Sequence, residues 1–281
     1  MKLFYIFTFT PTILMKFSFL SAKVGALALA TVVFASCSEK TEVAKDQVSP
    51  EAISKIQALG FSTQNIQRDG DAYVVEGDIR LSDRDLAGAY SNGKLLRVGE
   101  AEQYRTTELV AGPRNITLSL SNKMPSSYAA VLDEVARRYN AQGISLTFSR
   151  VASNGNIVLN TANGSYLASA GFPTGGNPYN SVKVNTRAIG TVSTTAQINY
   201  AATIIAHEVG HCIGFRHTDY MDRSYSCGGS YSNEGASTVG AILIPGTPSA
   251  ADPNSWMLAC IGSGQNRYFN ANDVTALNYL Y

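Results

Sequence analysis

The chain has 281 residues, 45% of them apolar, which suffices for one domain of catalytic size with a buried core plus a smaller segment, and excludes a disordered chain. Only 15% are charged and the formal net charge is +1, so no basic field is present to hold nucleic acid. Abundant Gly, Ser, Thr, Asn and Tyr suit an exported protein.

The N-terminus carries two apolar stretches, residues 3–14 and 17–34, with no acidic residue before Glu39. Met15 followed by Lys16, Lys23 and the apolar run from Val24 to Phe34 forms a complete export signal, so translation is expected to start at Met15 and residues 1–36 to be removed. Ala35, Ser36 and Cys37 resemble a bacterial lipobox, which implies a lipidated Cys37 and a polar tether over residues 37–50, on the outer membrane or secreted. Removal of the signal takes away Lys2, Lys16 and Lys23 and leaves a nearly neutral chain.

Beyond the tether, residues 50–60 carry apolar side chains at helical spacing, closed by Gly60. Asp69, Gly70 and Asp71 mark a turn before a single strand over residues 72–81, and a short helix follows from Ser82 to Leu86. Residues 51–105 form an N-terminal segment too small to be an enzyme, a candidate prosegment. From Asn115 onward, strands are expected at 116–120, 144–148, 156–160 and 181–185, a helix at 126–139, and a loop at 168–180. A long helix follows, capped at Thr194 or Thr195 and running to about Phe215.

Its C-terminal half reads His207, Glu208, Val209, Gly210, His211, Cys212, Ile213, Gly214, Phe215, Arg216, His217, which fits H-E-x-x-H-x-x-G-x-x-H at every fixed position. Residues four apart share a helix face, so His207 and His211 can aim at one ion. Gly214 gives the backbone freedom that brings His217 round as a third ligand and leaves a fourth position for water. Three neutral imidazoles leave Zn2+ its full charge, which lowers the pKa of bound water toward about 7, and Glu208 stands where a general base is needed. The chain has three histidines, and all three occupy these ligand positions. A purely structural site would not need Glu208.

These residues resemble the metzincin metallopeptidases, and among them the bacterial dual-action HEIGH metallopeptidases, over residues 106–281, with Val209 in place of Ile. The resemblance implies an α+β zincin fold: a twisted sheet with two helices in an upper subdomain, and an irregular lower subdomain ending in a C-terminal helix, here residues 270–281 with Asp273 near its start. It implies a Met-containing turn beneath the metal, supplied by Ser255, Trp256 and Met257. Where astacins carry a Tyr two residues after that Met, this chain has Ala259. Residues 75–79 resemble the astacin prosegment motif, in which Asp78 would reach the zinc and block it.

The cysteines remaining after Cys37 are Cys212, Cys227 and Cys260; a disulfide involving Cys260 is expected, with its partner undetermined. The resulting expectation is a monomeric zinc endopeptidase acting on protein or peptide, tethered to a membrane through Cys37. The alternatives are a surface lipoprotein with a structural zinc, and a zinc hydrolase of non-peptide amides.

Overall fold

The computed structural model describes residues 47–87, 103–248 and 251–281, all within the compact unit Val43–Tyr281. The expected signal, Met15, Cys37 and most of the tether lie outside the described residues. Among those described, no helix is long and apolar enough to cross a membrane.

The N-terminal segment opens with α1 (Pro50–Ala58), whose start is fixed by the Ser49 hydroxyl accepting from the Ala52 N–H and by Pro50 in the first turn. It buries Ala52 and Ile56. A three-stranded antiparallel sheet follows, β1 (Gln67–Asp69), β2 (Ala72–Val75) and β3 (Ile79–Ser82), then α2 (Asp83–Leu86), closed at its start by a capping box between Ser82 and Asp85. The single strand expected over residues 72–81 is two strands. Val75 pairs with Ile79, and Glu76 and Gly77 turn the chain at φ 53° and 89°. Apolar residues on both arms read as one continuous strand; the glycine that allows the reversal was the overlooked signal.

After the two-residue strand β4 (Tyr104–Arg105), the main sheet is built from β5 (Arg114–Leu120), β6 (Leu146–Arg150), β7 (Ile157–Thr161), β8 (Ala168–Ser169) and β9 (Ser181–Val184), in the order β6-β5-β7-β9-β8. The first three pairings are parallel, and β8 runs antiparallel at one edge. A parallel neighbour needs a crossover, which α3 (Tyr128–Asn140) supplies between β5 and β6. Helix α3 buries Val131, Leu132, Val135 and Tyr139 against the sheet and the long helix α5 (Thr195–Ile213). Each such side chain is worth about 1.5–3 kcal/mol on leaving water. A short α4 (Thr186–Ile189), which the sequence pattern did not disclose, precedes α5; the latter starts on a Thr194–Gln197 capping box, as expected from the Thr pair.

Below α5 the chain is irregular, holding α6 (Ser224–Cys227), the short β10 (Ile242–Leu243) against β4, and finally α7 (Ala271–Leu280). The Cys227–Cys260 disulfide closes a separation of 33 residues here, a restriction of the unfolded chain worth roughly 3–4 kcal/mol. Cys212 is free and buried on α5. This is the α+β arrangement expected: sheet with two helices above, irregular chain and a terminal helix below.

Asp273 joins the two ends of this domain. It completes the N-cap of α7 and also accepts from Ser255 Oγ at 2.8 Å, Trp256 N at 3.1 Å and Gln103 Nε2 at 2.5 Å. Burial outweighs these bonds and pushes its pKa up to about 6 from 3.8. An acid with a raised native pKa binds its proton more tightly when folded, so its contribution is full below pH 3.8 and falls as pH rises through about 6. Urea unfolding of the wild type and Asp273→Asn across pH 4–7 is expected to show the wild type losing about 2–3 kcal/mol relative to the variant over that window. A constant difference would contradict the assignment.

Candidate metal centre

Helix α5 carries His207 and His211 one turn apart, both buried. Gly214 ends the helix in the left-handed region at φ 114°, where a Cβ would lie 2.6 Å from Leu109 Cδ2 and 3.1 Å from the Glu108 carbonyl oxygen. The chain leaving it is held along β4, with Thr106 N donating to Gly214 O at 2.8 Å and Arg216 N to Tyr104 O at 2.9 Å. That course carries His217 back to the other two rings, whose centroids lie 4.8 and 5.2 Å from its own.

The outer nitrogen of each ring is committed. His207 Nδ1 lies 2.9 Å from Trp256 O, His211 Nδ1 2.9 Å from Phe215 O, and His217 Nδ1 2.7 Å from Glu234 Oε1. Carbonyl and carboxylate oxygens only accept, so each Nδ1 carries the hydrogen and each neutral ring turns a bare Nε2 lone pair inward. His207 Nε2 is buried without a hydrogen-bond partner, and the Nε2 atoms of His211 and His217 face each other at 3.2 Å. Asp78 Oδ2 enters the same space, 3.0 Å from His217 Nε2. Ligating atoms of Asp78, His207, His211 and His217 all fall within 4.8 Å of one another.

Such a set of acceptors needs positive charge at its centre. The ionisation behaviour agrees: despite burial, Asp78 and Glu234 hold His217 well above the usual range, whereas burial and the two neighbouring rings hold His211 well below it. His217 in turn keeps Asp78 low against the cost of burying its charge. A divalent ion supplies the missing charge, and three imidazoles with one carboxylate fit the zinc expected from the sequence.

Glu208, between the two helical histidines, is 2% exposed, and its Oε2 has no hydrogen-bond partner. Burial first, then the nearby Asp78 charge, pushes its pKa well above the carboxylate range. It lines a cleft of about 880 Å³ together with His207, Glu76, Gly77, Asp78 and Arg223.

The floor is the expected Met-containing turn. A Cβ on Gly210 would lie 2.6 Å from Met257 Sδ and 3.2 Å from Trp256 Nε1, so the glycine between the two histidines lets the turn press on the helix. Trp256 Nε1 donates to Ala206 O at 3.3 Å, and the Trp256 carbonyl is the partner of His207. Ala259 donates its N–H to Asp219 Oδ1 at 2.9 Å.

The four site residues expected from the sequence, His207, Glu208, His211 and His217, are thus brought together, and Asp78, expected from the prosegment-like motif, lies among the histidine nitrogens. Sequence reasoning missed Glu234, Glu76, Arg216 and Arg223. Buried Arg216 lies 3.4 Å from Glu76 Oε2 and 3.5 Å from Glu234 Oε2, and donates to the carbonyls of Gly235, Ala236 and Gly240. Burial and then the Glu234 charge, opposed by Arg216, push Glu76 up to about 8. Glu234 lies in a Ser- and Gly-rich loop with no spacing rule to reveal it; only an unpaired Nδ1 to be satisfied on His217 could have prompted a search.

Fold and site together define a metal-dependent peptidase: a zincin-type helix of ligands, a neighbouring carboxylate and an open cleft. The chain belongs to the family of dual-action HEIGH metallopeptidases, whose sequence pattern matches residues 74–281. Among solved structures it is similar to myroilysin, with 16% identity and a TM-score of 0.41, covering 63% of this chain and 98% of that one. Another similar structure is high choriolytic enzyme 1, a hatching enzyme zinc-protease from the medaka fish Oryzias latipes, with 14% identity, a TM-score of 0.31, and 59% and 88% of the two chains covered. No curated protein sequence matches significantly.

Because Glu234 alone orients the third ring through a side chain, Glu234→Ala is expected to weaken metal binding by about 10–100-fold. Competition with a chromophoric chelator measures this; an unchanged affinity would remove Glu234 from the site.

Proposed function

We propose that this metallopeptidase is a zinc-dependent endopeptidase in which His207, His211 and His217 hold the metal and Glu208 is the general base. The observation that carries the reading is the commitment of all three Nδ1 atoms to acceptors, which turns three Nε2 atoms toward one buried point that a metal ion can occupy. Zinc, when bound, supplies a Lewis acid that makes water nucleophilic near neutral pH and polarises the scissile carbonyl. Glu208 takes the proton of the attacking water on its free Oε2 and returns it to the leaving amine. Burial and then the nearby Asp78 charge raise its pKa, which makes it a stronger proton acceptor than an exposed carboxylate.

A site holding metal only to brace the lower subdomain would have no use for a buried, unpartnered carboxylate beside its first ligand, which disfavours the structural-zinc lipoprotein. The proposal includes residues 51–105 as a prosegment that keeps the enzyme latent through Asp78, whose Oδ2 stands among the ligand atoms on the cleft side. It also includes export and a lipid tether at Cys37, supported by the signal-like residues before it.

The chain carrying Asp78→Ala is expected to bind one zinc and to cleave casein, with cleavage lost on chelation and restored by zinc. Glu208→Gln is expected to keep its zinc and lose activity by about 10²–10⁴-fold. Retained cleavage in that variant would remove Glu208 as base. Asp78→Ala is expected to raise the activity of the unprocessed chain, and an equal rate would end the latency reading.

A further inference from the structure

The corner of the cleft next to the third histidine is rich in cations. Arg223 has a side chain 16% exposed, its Nε 3.2 Å from Glu234 Oε1 and one Nη donating to the backbone carbonyl of Glu76. Arg216 is fully buried behind it, between Glu76 and Glu234. Glu234 is shared among both guanidiniums and the His217 ring. The other acids of this corner, Glu76 and Asp78, both belong to the loop of the N-terminal hairpin. A peptide that takes the place of that loop must provide what it provides: an acceptor for Arg223, and negative charge against two guanidiniums that otherwise share one carboxylate.

The position of Gly77 shows where that charge would enter. A Cβ built on it lies 2.7 Å from Arg223 Nη2 and 3.3 Å from Nη1, so a side chain at this place in the cleft is aimed at the guanidinium. The next residue is Asp78, whose carboxylate lies against His217 and the other ligand atoms. The subsite is therefore one residue from the reacting centre. Glycine meets the fork by having no side chain. Once the Glu76 carbonyl is gone, Arg223 can draw back and take a carboxylate through two N–H groups, whereas Asn or Gln offers it one neutral oxygen and Lys or Arg adds a third cation.

We propose that Arg223 is a specificity-determining residue that selects peptides carrying Asp or Glu beside the scissile bond. This rests on the peptidase reading above, and its test separates the two. In the first measurement the full chain carrying Asp78→Ala digests a proteome-derived peptide mixture, and the cleaved sites are expected to be enriched in Asp or Glu next to the cut. Arg223→Gln loses that enrichment, and Arg223→Glu shifts it toward Lys and Arg. Cleavage without acidic enrichment, or enrichment that survives Arg223→Gln, overturns the proposal.

The second measurement does not depend on turnover. The full chain carrying both Asp78→Ala and Glu208→Gln, loaded with zinc, is titrated with two otherwise identical alanine-rich peptides bearing a central Asp or a central Asn. The Asp peptide is expected to bind about tenfold more tightly, with the difference abolished by adding Arg223→Gln. Equal affinities, or no binding of either peptide, overturn the inference. An Asp78→Ala chain that cleaves nothing sinks the peptidase reading alone and leaves this titration to decide the role of Arg223.

Discussion

Three imidazole lone pairs pointing at one another are a repulsive arrangement, and the rest of the domain is organised to keep them there. Each ring is held from outside by a single acceptor, and the three acceptors come from three different places: Trp256 in the turn below, Phe215 just past the end of α5, and Glu234 in the lower loop. Helix α5 fixes two rings by its pitch. The third depends on the left-handed break at Gly214 and on the ladder with β4 that guides the chain away from it. Strain at the centre is relieved by a cation, so the cost of assembling the ligands is met on metal binding and the folded domain and the loaded site are coupled.

The parts of this architecture governed by local rules were readable in the sequence. Both ends of α5 follow from the Thr194 cap and Gly214, and α3 and the strands around it follow from the spacing of their apolar residues, displaced by at most about a turn. His207, Glu208, His211 and His217 were legible because a helix turns their spacing into proximity. The reversal at Glu76 and Gly77 was not, because strand-like residues flank it on both sides. Glu234 and the two arginines were hidden for a different reason: their partners are far away in sequence, as with Arg216 and Glu76, and no local pattern encodes a buried ion pair of that kind. Asp273 was seen only as a helix-start residue, while its larger role lies in tying Ser255 and Trp256 to Gln103.

The N-terminal hairpin is more than a cover over the cleft. Ile79 and Leu81 join Phe61, Phe172 and Val239 in a small apolar cluster, and Arg80 N donates to Ala170 O at 2.7 Å at the edge of the main sheet. These contacts hold the loop so that its two carboxylates meet two different cations' worth of charge demand, Glu76 at Arg216 and Asp78 at the histidines. Neither carboxylate has enough local structure to take that position unaided; the apolar cluster does the positioning, and the charges give it meaning.

Asp273 also sets an order of events in time. The turn that seats His207 hangs from a carboxylate that lies beyond it in the chain, at the start of α7, so as the chain emerges N-terminus first, His207, Glu208, His211 and His217 appear well before the residue that locks their floor. A nascent chain that has exposed His207 to His217 cannot yet hold Trp256 in place. A peptidase built this way completes its cutting centre last, and a chain released early by the ribosome would carry the motif without the means to assemble it.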